Sequence, residues 1–167
     1  SIKHDKERYE HKYEYCDLLI TGSGPSGLAS AYAAAKNGAR VILAEDKPRF
    51  GGSLLTSEVT IGNQSGKEWA NSIITELKEM PNVIVKNRAQ VFGYYDHNML
   101  VMSERINDHL PKSKKYSPKQ RLWYIRAKEV VISSGSIERP LVFGNNDTPG
   151  VVLSSAAKEY LKVYGVL

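Results

Sequence analysis

The residues with the clearest chemical potential form one short run, Gly22-Ser23-Gly24-Pro25-Ser26-Gly27, a Gly-x-Gly-x-x-Gly pattern. The chemistry that this spacing serves is phosphate binding. The first glycine turns the chain, the second lets a pyrophosphate approach the backbone, and the third lets a helix lie close to a strand. Free N–H groups and the positive dipole end of that helix then hold the phosphate charge. Glu45 follows 18 residues after Gly27. A carboxylate there accepts hydrogen bonds from an adenosine ribose and repels a 2′-phosphate, which favours NAD or FAD over NADP. The plain alternative is a glycine turn followed by a solvated glutamate, so the surrounding elements decide.

Those elements sit where the chemistry needs them. Asp17-Leu18-Leu19-Ile20 is a short apolar run that breaks at Thr21-Gly22, as a buried parallel strand does. The alanine-rich stretch Leu28–Lys36 is a strong helix former and stops at Asn37-Gly38. Val41-Ile42-Leu43-Ala44 is a second buried strand, closed by Glu45-Asp46. Strand, tight turn, helix and strand make a βαβ unit with a right-handed crossover. A second helix is expected from about Lys67 to Met80, with Trp69, Ile73, Ile74 and Leu77 at helical spacing and Pro81 ending it. Val83-Ile84-Val85 reads as a third parallel strand and Val130-Val131-Ile132 as a fourth, closed by Ser133-Ser134-Gly135. Between them, residues 89–105 and 121–127 read as antiparallel ribbons. Residues 154–164 read as a final short helix, and residues 1–15 as a polar arm or linker ahead of a single domain over 16–167. The expected fold class is therefore α/β: a Rossmann-like FAD/NAD(P)-binding domain whose parallel sheet is flanked by helices and carries an inserted antiparallel β-meander.

Other candidate groups lead to plainer readings. Asp96-His97 are adjacent, and neighbours on an extended chain point to opposite faces, so they form no acid–base dyad. With Asn98 they read as a hairpin turn. His4, His11 and His109 lie in polar segments without ligand spacing and read as surface residues. Cys16 precedes the first strand and reads as a small packed hydrophobe. Arg139 suits a phosphate or a carboxylate equally, and could simply tie Glu138 or Asp147 to the surface.

Composition narrows the field further. With 167 residues the chain suits one domain, and one cysteine excludes an internal disulfide and any Cys-x-x-Cys pair. A reducing, cytoplasmic setting is expected. No apolar run approaches the ~20 residues of a membrane span, and no signal peptide is recognisable at Ser1–Arg8. The net charge of +5 raises the question of nucleic acid. Its densest stretch, Lys112, Lys114, Lys115, Lys119 and Arg121, is broken by Pro111 and Pro118 and reads as a solvated loop. Neither a nucleic-acid nor a membrane partner is expected.

Several longer stretches carry a resemblance. Arg49-Phe50-Gly51-Gly52 resembles the glycine pair that extends the fingerprint in two-dinucleotide-domain flavoproteins, and Val130–Gly135 resembles their second glycine signature. More specifically, the chain resembles the dinucleotide-binding domain of the α subunit of heterotetrameric sarcosine oxidase. The matching stretches are Arg8-Tyr9-Glu10-His11, Tyr15-Cys16-Asp17, Gly22–Gly27, Phe50-Gly51-Gly52-Ser53-Leu54, Val91–Asn98, Ile137–Phe143, Asn145-Asn146-Asp147 and Pro149-Gly150-Val151. Opine oxidases and other amine-oxidase α subunits share part of this pattern.

The resemblance implies a chain that binds NAD, with FAD as the alternative, through Gly22, Ser23, Gly24, Pro25, Ser26, Gly27, Glu45, Asp46, Gly51, Gly52, Ser53, Val91, Ser133, Ser134 and Gly135. It implies an enzyme complex that demethylates sarcosine to glycine with hydrogen peroxide and passes the one-carbon unit to tetrahydrofolate. The amine chemistry would occur on a flavin held by a different polypeptide of the complex. The family's α subunit is much longer, so the chain is expected to be a fragment of it, with the remaining α-subunit domains and the other subunits as partners. No catalytic residue and no metal ligand is expected here. Ser53-Leu54-Leu55 stand where related disulfide reductases carry two cysteines, so dithiol chemistry is not expected. Truncation should appear as exposed apolar surface around Leu141-Val142-Phe143. The alternative is the FAD-binding half of a related flavoprotein or opine oxidase α subunit.

Overall fold

A computed structural model describes residues 7–110 and 117–166. Strands β1 (Tyr9–Thr21), β2 (Val41–Ala44), β5 (Val83–Lys86), β6 (Ala89–Tyr95), β7 (Met99–Arg105) and β8 (Gln120–Ile132) form one sheet in the order β5-β2-β1-β8-β7-β6. The first four of that order run parallel, and β8-β7-β6 form an antiparallel meander. Strand β1 therefore lies between its next strand and its last, which makes it the place where the chain order reverses. A two-residue hairpin, β3 (Thr60–Ile61) with β4 (Gln64–Ser65), stands apart.

Helix α1 (Pro25–Lys36) starts with Gly24 as its cap and a proline in its first turn, and ends at Asn37 and Gly38. Its buried face is Gly27, Leu28, Ala31 and Ala35, where Gly27 and the two alanines let it lie close to the sheet. Helix α2 (Gly66–Glu79) opens with a capping box. The Ser65 hydroxyl accepts from the Glu68 amide (3.3 Å), and the Ser65 amide donates to the Glu68 carboxylate (2.9 Å). Its apolar stripe, Ala70, Ile73, Ile74 and Leu77, joins Ile20, Leu28, Val41 and Leu43 in a core between helices and sheet. The opposite face of β1 and β2, with Cys16, Leu19, Ile42 and Ala44, packs on Leu100, Met102, Trp123 and Ile125 of the meander.

Two cores on one strand require a change of phase. In β1 both Cys16 and Leu19 face the meander core, and in β8 so do Ala127 and Val130. The slip falls at Asp17 and Lys128, whose side chains pair at 2.9 Å. There the amides of Asp17 and Leu18 both donate to the Arg40 carbonyl, at 2.9 and 3.1 Å. Asp17 also accepts from the Arg40 amide (2.8 Å), and these partners, Lys128 first, hold its carboxyl down at about 2.

Two expectations need correction. The polar arm expected over 1–15 is strand from Tyr9 onward, paired in parallel with β8 from Tyr9↔Gln120 to Tyr15↔Arg126; residues 1–6 lie outside the described residues. Its alternation is complete, with Tyr9, His11, Tyr13 and Tyr15 alternating with Glu10, Lys12 and Glu14, but Tyr13 stays 74% exposed, so no buried face announces it. The ribbon expected at 121–127 and the parallel strand expected at 130–132 are one strand, β8, antiparallel to β7 on one side and parallel to β1 on the other. The parallel sheet, the flanking helices and the meander are as expected. The basic stretch at Lys112–Lys115 lies outside the described residues. Among the described residues no helix is long and apolar enough to cross a membrane.

Candidate functional site

The carboxyl ends of β1, β2 and β8 open into a cavity of about 1040 Å³, the crevice where parallel α/β sheets bind ligands. Its floor is the turn from β1 into α1. The Gly22 amide donates to Ala44 O (2.7 Å) and the Ser133 amide to Thr21 O (2.8 Å), so the ends of three strands are tied together. Each glycine of the turn answers a different constraint. Gly22 has φ +95°, and a Cβ on it would fall 2.3 Å from the Ser133 carbonyl oxygen. A Cβ on Gly27 would fall 2.0 Å from the Gly22 carbonyl oxygen, so α1 could not lie against the strand. Gly24 has ordinary extended backbone, φ −67° and ψ −177°, and nothing lies within 4 Å of its would-be Cβ. Gly24, Pro25 and Ser26, at the head of α1, all line the cavity. The second glycine pair closes in beside it: Gly52, at φ +52°, would place a Cβ 2.9 Å from Gly24 Cα.

Glu45 ends β2 and is buried. Its Oε2 accepts from the Ser23 amide (2.9 Å) and the Ser23 hydroxyl, and its Oε1 accepts from the Lys47 amide (3.0 Å). Burial pushes its carboxyl above the usual range, the neighbouring Asp46 carboxyl adds to this, and the Ser23 and Lys47 donors oppose it. Asp46 stands on the cavity wall.

Of the fifteen residues expected at a dinucleotide site, thirteen line this one cavity: Gly22, Ser23, Gly24, Pro25, Ser26, Glu45, Asp46, Gly52, Ser53, Val91, Ser133, Ser134 and Gly135. Gly27 and Gly51 do not line it; they shape it from behind, Gly27 by the helix approach and Gly51 through φ +119° and its amide on Ser23. Sequence reasoning missed the roof. Helix α3 (Ser154–Glu159) and the π-helical turns at Tyr160–Tyr164 bring Ser154, Ser155, Lys158, Glu159, Val163 and Tyr164 to the cavity. The Lys47–Glu159 ion pair (3.3 Å), Arg49 donating to Val163 O (3.0 Å) and the Lys162–Glu58 pair (2.9 Å) hold that segment across it. Only tertiary docking brings it there, so local pattern carried no signal.

The remaining candidates fall as their residue types suggest. Asp96-His97-Asn98 is a turn, with φ +57° at His97 and +51° at Asn98. His11 and His109 are exposed, and His4 lies outside the described residues. Cys16 is buried, its thiol pushed up to about 12, chiefly by burial. The Glu138 carboxylate takes the Ser155 amide (2.8 Å) and the Ser154 hydroxyl (3.0 Å), not Arg139. Among the described residues no cluster of three or more His, Cys, Asp or Glu could hold a metal.

Comparison with known proteins follows the same line. The model of the FAD dependent oxidoreductase family matches residues 17–113. The sarcosine oxidase α subunit of Rhizobium meliloti (strain 1021) is 43% identical over 99% of this chain, and that of Corynebacterium sp. (strain U-96) is 38% identical over 97%. In each case the chain spans only 17% of the relative's length. An opine oxidase polypeptide of Agrobacterium tumefaciens (strain Ach5) is 26% identical over 92% of the chain and 30% of its own length. Among solved structures, L-proline dehydrogenase from P. horikoshii superposes with a TM-score of 0.74 at 23% identity, over 94% of this chain and 30% of that one. That likeness establishes the fold.

Proposed function

The chain belongs to the FAD dependent oxidoreductase family, and from that premise we propose that it is the dinucleotide-binding unit of a sarcosine oxidase α subunit. The observation that carries the reading is the cradle at Gly24. There the head of α1 opens into a cavity where a side chain would stand, with a buried carboxylate at the end of the next strand. Gly22–Gly27 take the pyrophosphate, with Gly52 and Ser53 closing over it. Glu45 and Asp46 take the adenosine ribose, Val91 the base, and Ser133–Gly135 the far wall.

The dinucleotide is NAD in this reading, as the resemblance to sarcosine oxidase α subunits implies. The family's FAD dependence favours FAD as a second reading. Either one, when bound, supplies hydride-transfer chemistry; the residues of this chain bind it, orient it and cover it. The whole enzyme demethylates sarcosine to glycine and passes the one-carbon unit to tetrahydrofolate, in the cytoplasm, with the amine site on a different polypeptide of the complex. Partner chains and further α-subunit domains cover the apolar surface left open here, where Ile137, Leu141 and Val142 are 93%, 79% and 97% exposed. Calorimetric titration with NAD, FAD, NADP and ATP tests the reading. NAD bound and NADP rejected supports it; FAD bound alone moves the chain to the second reading; no binding to any of the four sinks both.

A further inference from the structure

The glycine fingerprint assigns roles to its three glycines and none to the residue between the first two. Here that residue is Ser23, which is wholly buried and joins three segments. Its amide and its hydroxyl both donate to Glu45 Oε2. Its hydroxyl and its carbonyl both accept from the Gly51 amide, at 3.2 and 3.1 Å. The hydroxyl carries one proton; with Gly51 donating to it, that proton is committed to Glu45. A carboxylate has about four acceptor positions. Ser23 fills two and the Lys47 amide a third, so the plane of the Glu45 carboxylate is fixed, with the Asp46 carboxyl beside it on the cavity wall.

We propose that Ser23 is a positioning residue that sets the Glu45 carboxylate against the ribose, so that the side chain at this position of the glycine loop governs how strongly the site reads the sugar hydroxyls. The inference rests on the dinucleotide reading above. Without the hydroxyl, Oε2 keeps a single protein donor, and the carboxylate is free to turn toward the remaining partners.

The test uses ADP, the part shared by NAD and FAD, and 2′,3′-dideoxy-ADP, which keeps the phosphates and base but loses the hydroxyls. Calorimetry on wild type, Ser23→Ala, Glu45→Gln and the double variant gives the ratio of the two dissociation constants in each. The wild type is expected to prefer ADP by about tenfold or more, the range for a hydrogen bond to a charged group. In Ser23→Ala the preference collapses toward that of Glu45→Gln, dideoxy-ADP affinity stays within about threefold, and the double variant loses no more. An undiminished preference in folded Ser23→Ala overturns the inference, and so does an equal loss for both ligands, which would mark a merely structural serine. A wild type that binds neither ligand, or a preference that survives Glu45→Gln, overturns the dinucleotide reading and the inference with it.

Discussion

Substituting Gly24 by valine should separate binding from folding, because the three glycines of the loop meet different surroundings. At Gly24 the backbone is extended, φ −67°, and no atom stands within 4 Å of the added Cβ. The cost to stability is that of exchanging one helix cap for a poorer one, about 1 kcal/mol. The added methyls fill the space through which a phosphate reaches the amides at the head of α1. Each hydrogen bond to a charged group contributes about 1.5–3 kcal/mol, so losing two weakens a dinucleotide by roughly two to four orders of magnitude. Gly22→Ala and Gly27→Ala should behave oppositely. Their Cβ atoms would fall 2.3 and 2.0 Å from backbone oxygens, an overlap that costs about 1–3 kcal/mol by overpacking, and Gly22 adds the strain of a positive φ. Thermal melting beside calorimetric titration of ADP, NAD and FAD reads both quantities. A Gly24→Val protein that melts like wild type yet binds like wild type would refute the placement of the phosphates. A Gly27→Ala protein that melts unchanged would refute the packing argument.

Three further outcomes follow from the hydrogen bonding. Glu45→Ala should lower the melting temperature as well as dinucleotide affinity, because Ser23 and the Lys47 amide lose a buried acceptor at about 1–3 kcal/mol for each donor left unsatisfied; an unchanged melt would mean those donors find other partners. Asp17, held at about 2 against an ordinary 3.8, contributes stability that is complete above pH 3.8 and is lost as pH falls toward 2. Melts between pH 5 and 2 should therefore decline less steeply in Asp17→Asn, and parallel declines would rule out the pair with Lys128 as a source. Cys16, buried with its thiol pushed up to about 12, should resist iodoacetamide at pH 8 until the protein unfolds; fast labelling by mass spectrometry in the folded protein would contradict its place in the core.

What could be read from the residues, and what could not, divides along a physical line. The glycine loop, Glu45 and the short apolar strands were legible because each obeys a local rule: turn, close approach, burial on both faces. The start of α2 was equally local, since Ser65 and Glu68 stand three apart, yet the helix was expected to begin at about Lys67 because its apolar stripe starts later than its cap. The first half of β1 was hidden for a different reason. Its alternation is aromatic against charged, and it was missed because the tyrosines stay in solvent, so period two marks a strand here without marking a core. The helical turns of the roof were legible over 154–164, but their place over the cavity was not. The roof's contacts, Lys47 to Glu159, Arg49 to Val163 and Lys162 to Glu58, each span more than a hundred residues of sequence. Contacts between exposed polar groups leave no periodic signature of where a segment docks, and exposed ion pairs contribute about 0–1 kcal/mol each. The floor of the site is thus built from backbone packing that leaves no room for a side chain at Gly22 or Gly27, whereas the roof is held by weak, salt-sensitive pairs. Raised ionic strength should loosen the roof and leave the glycine cradle intact.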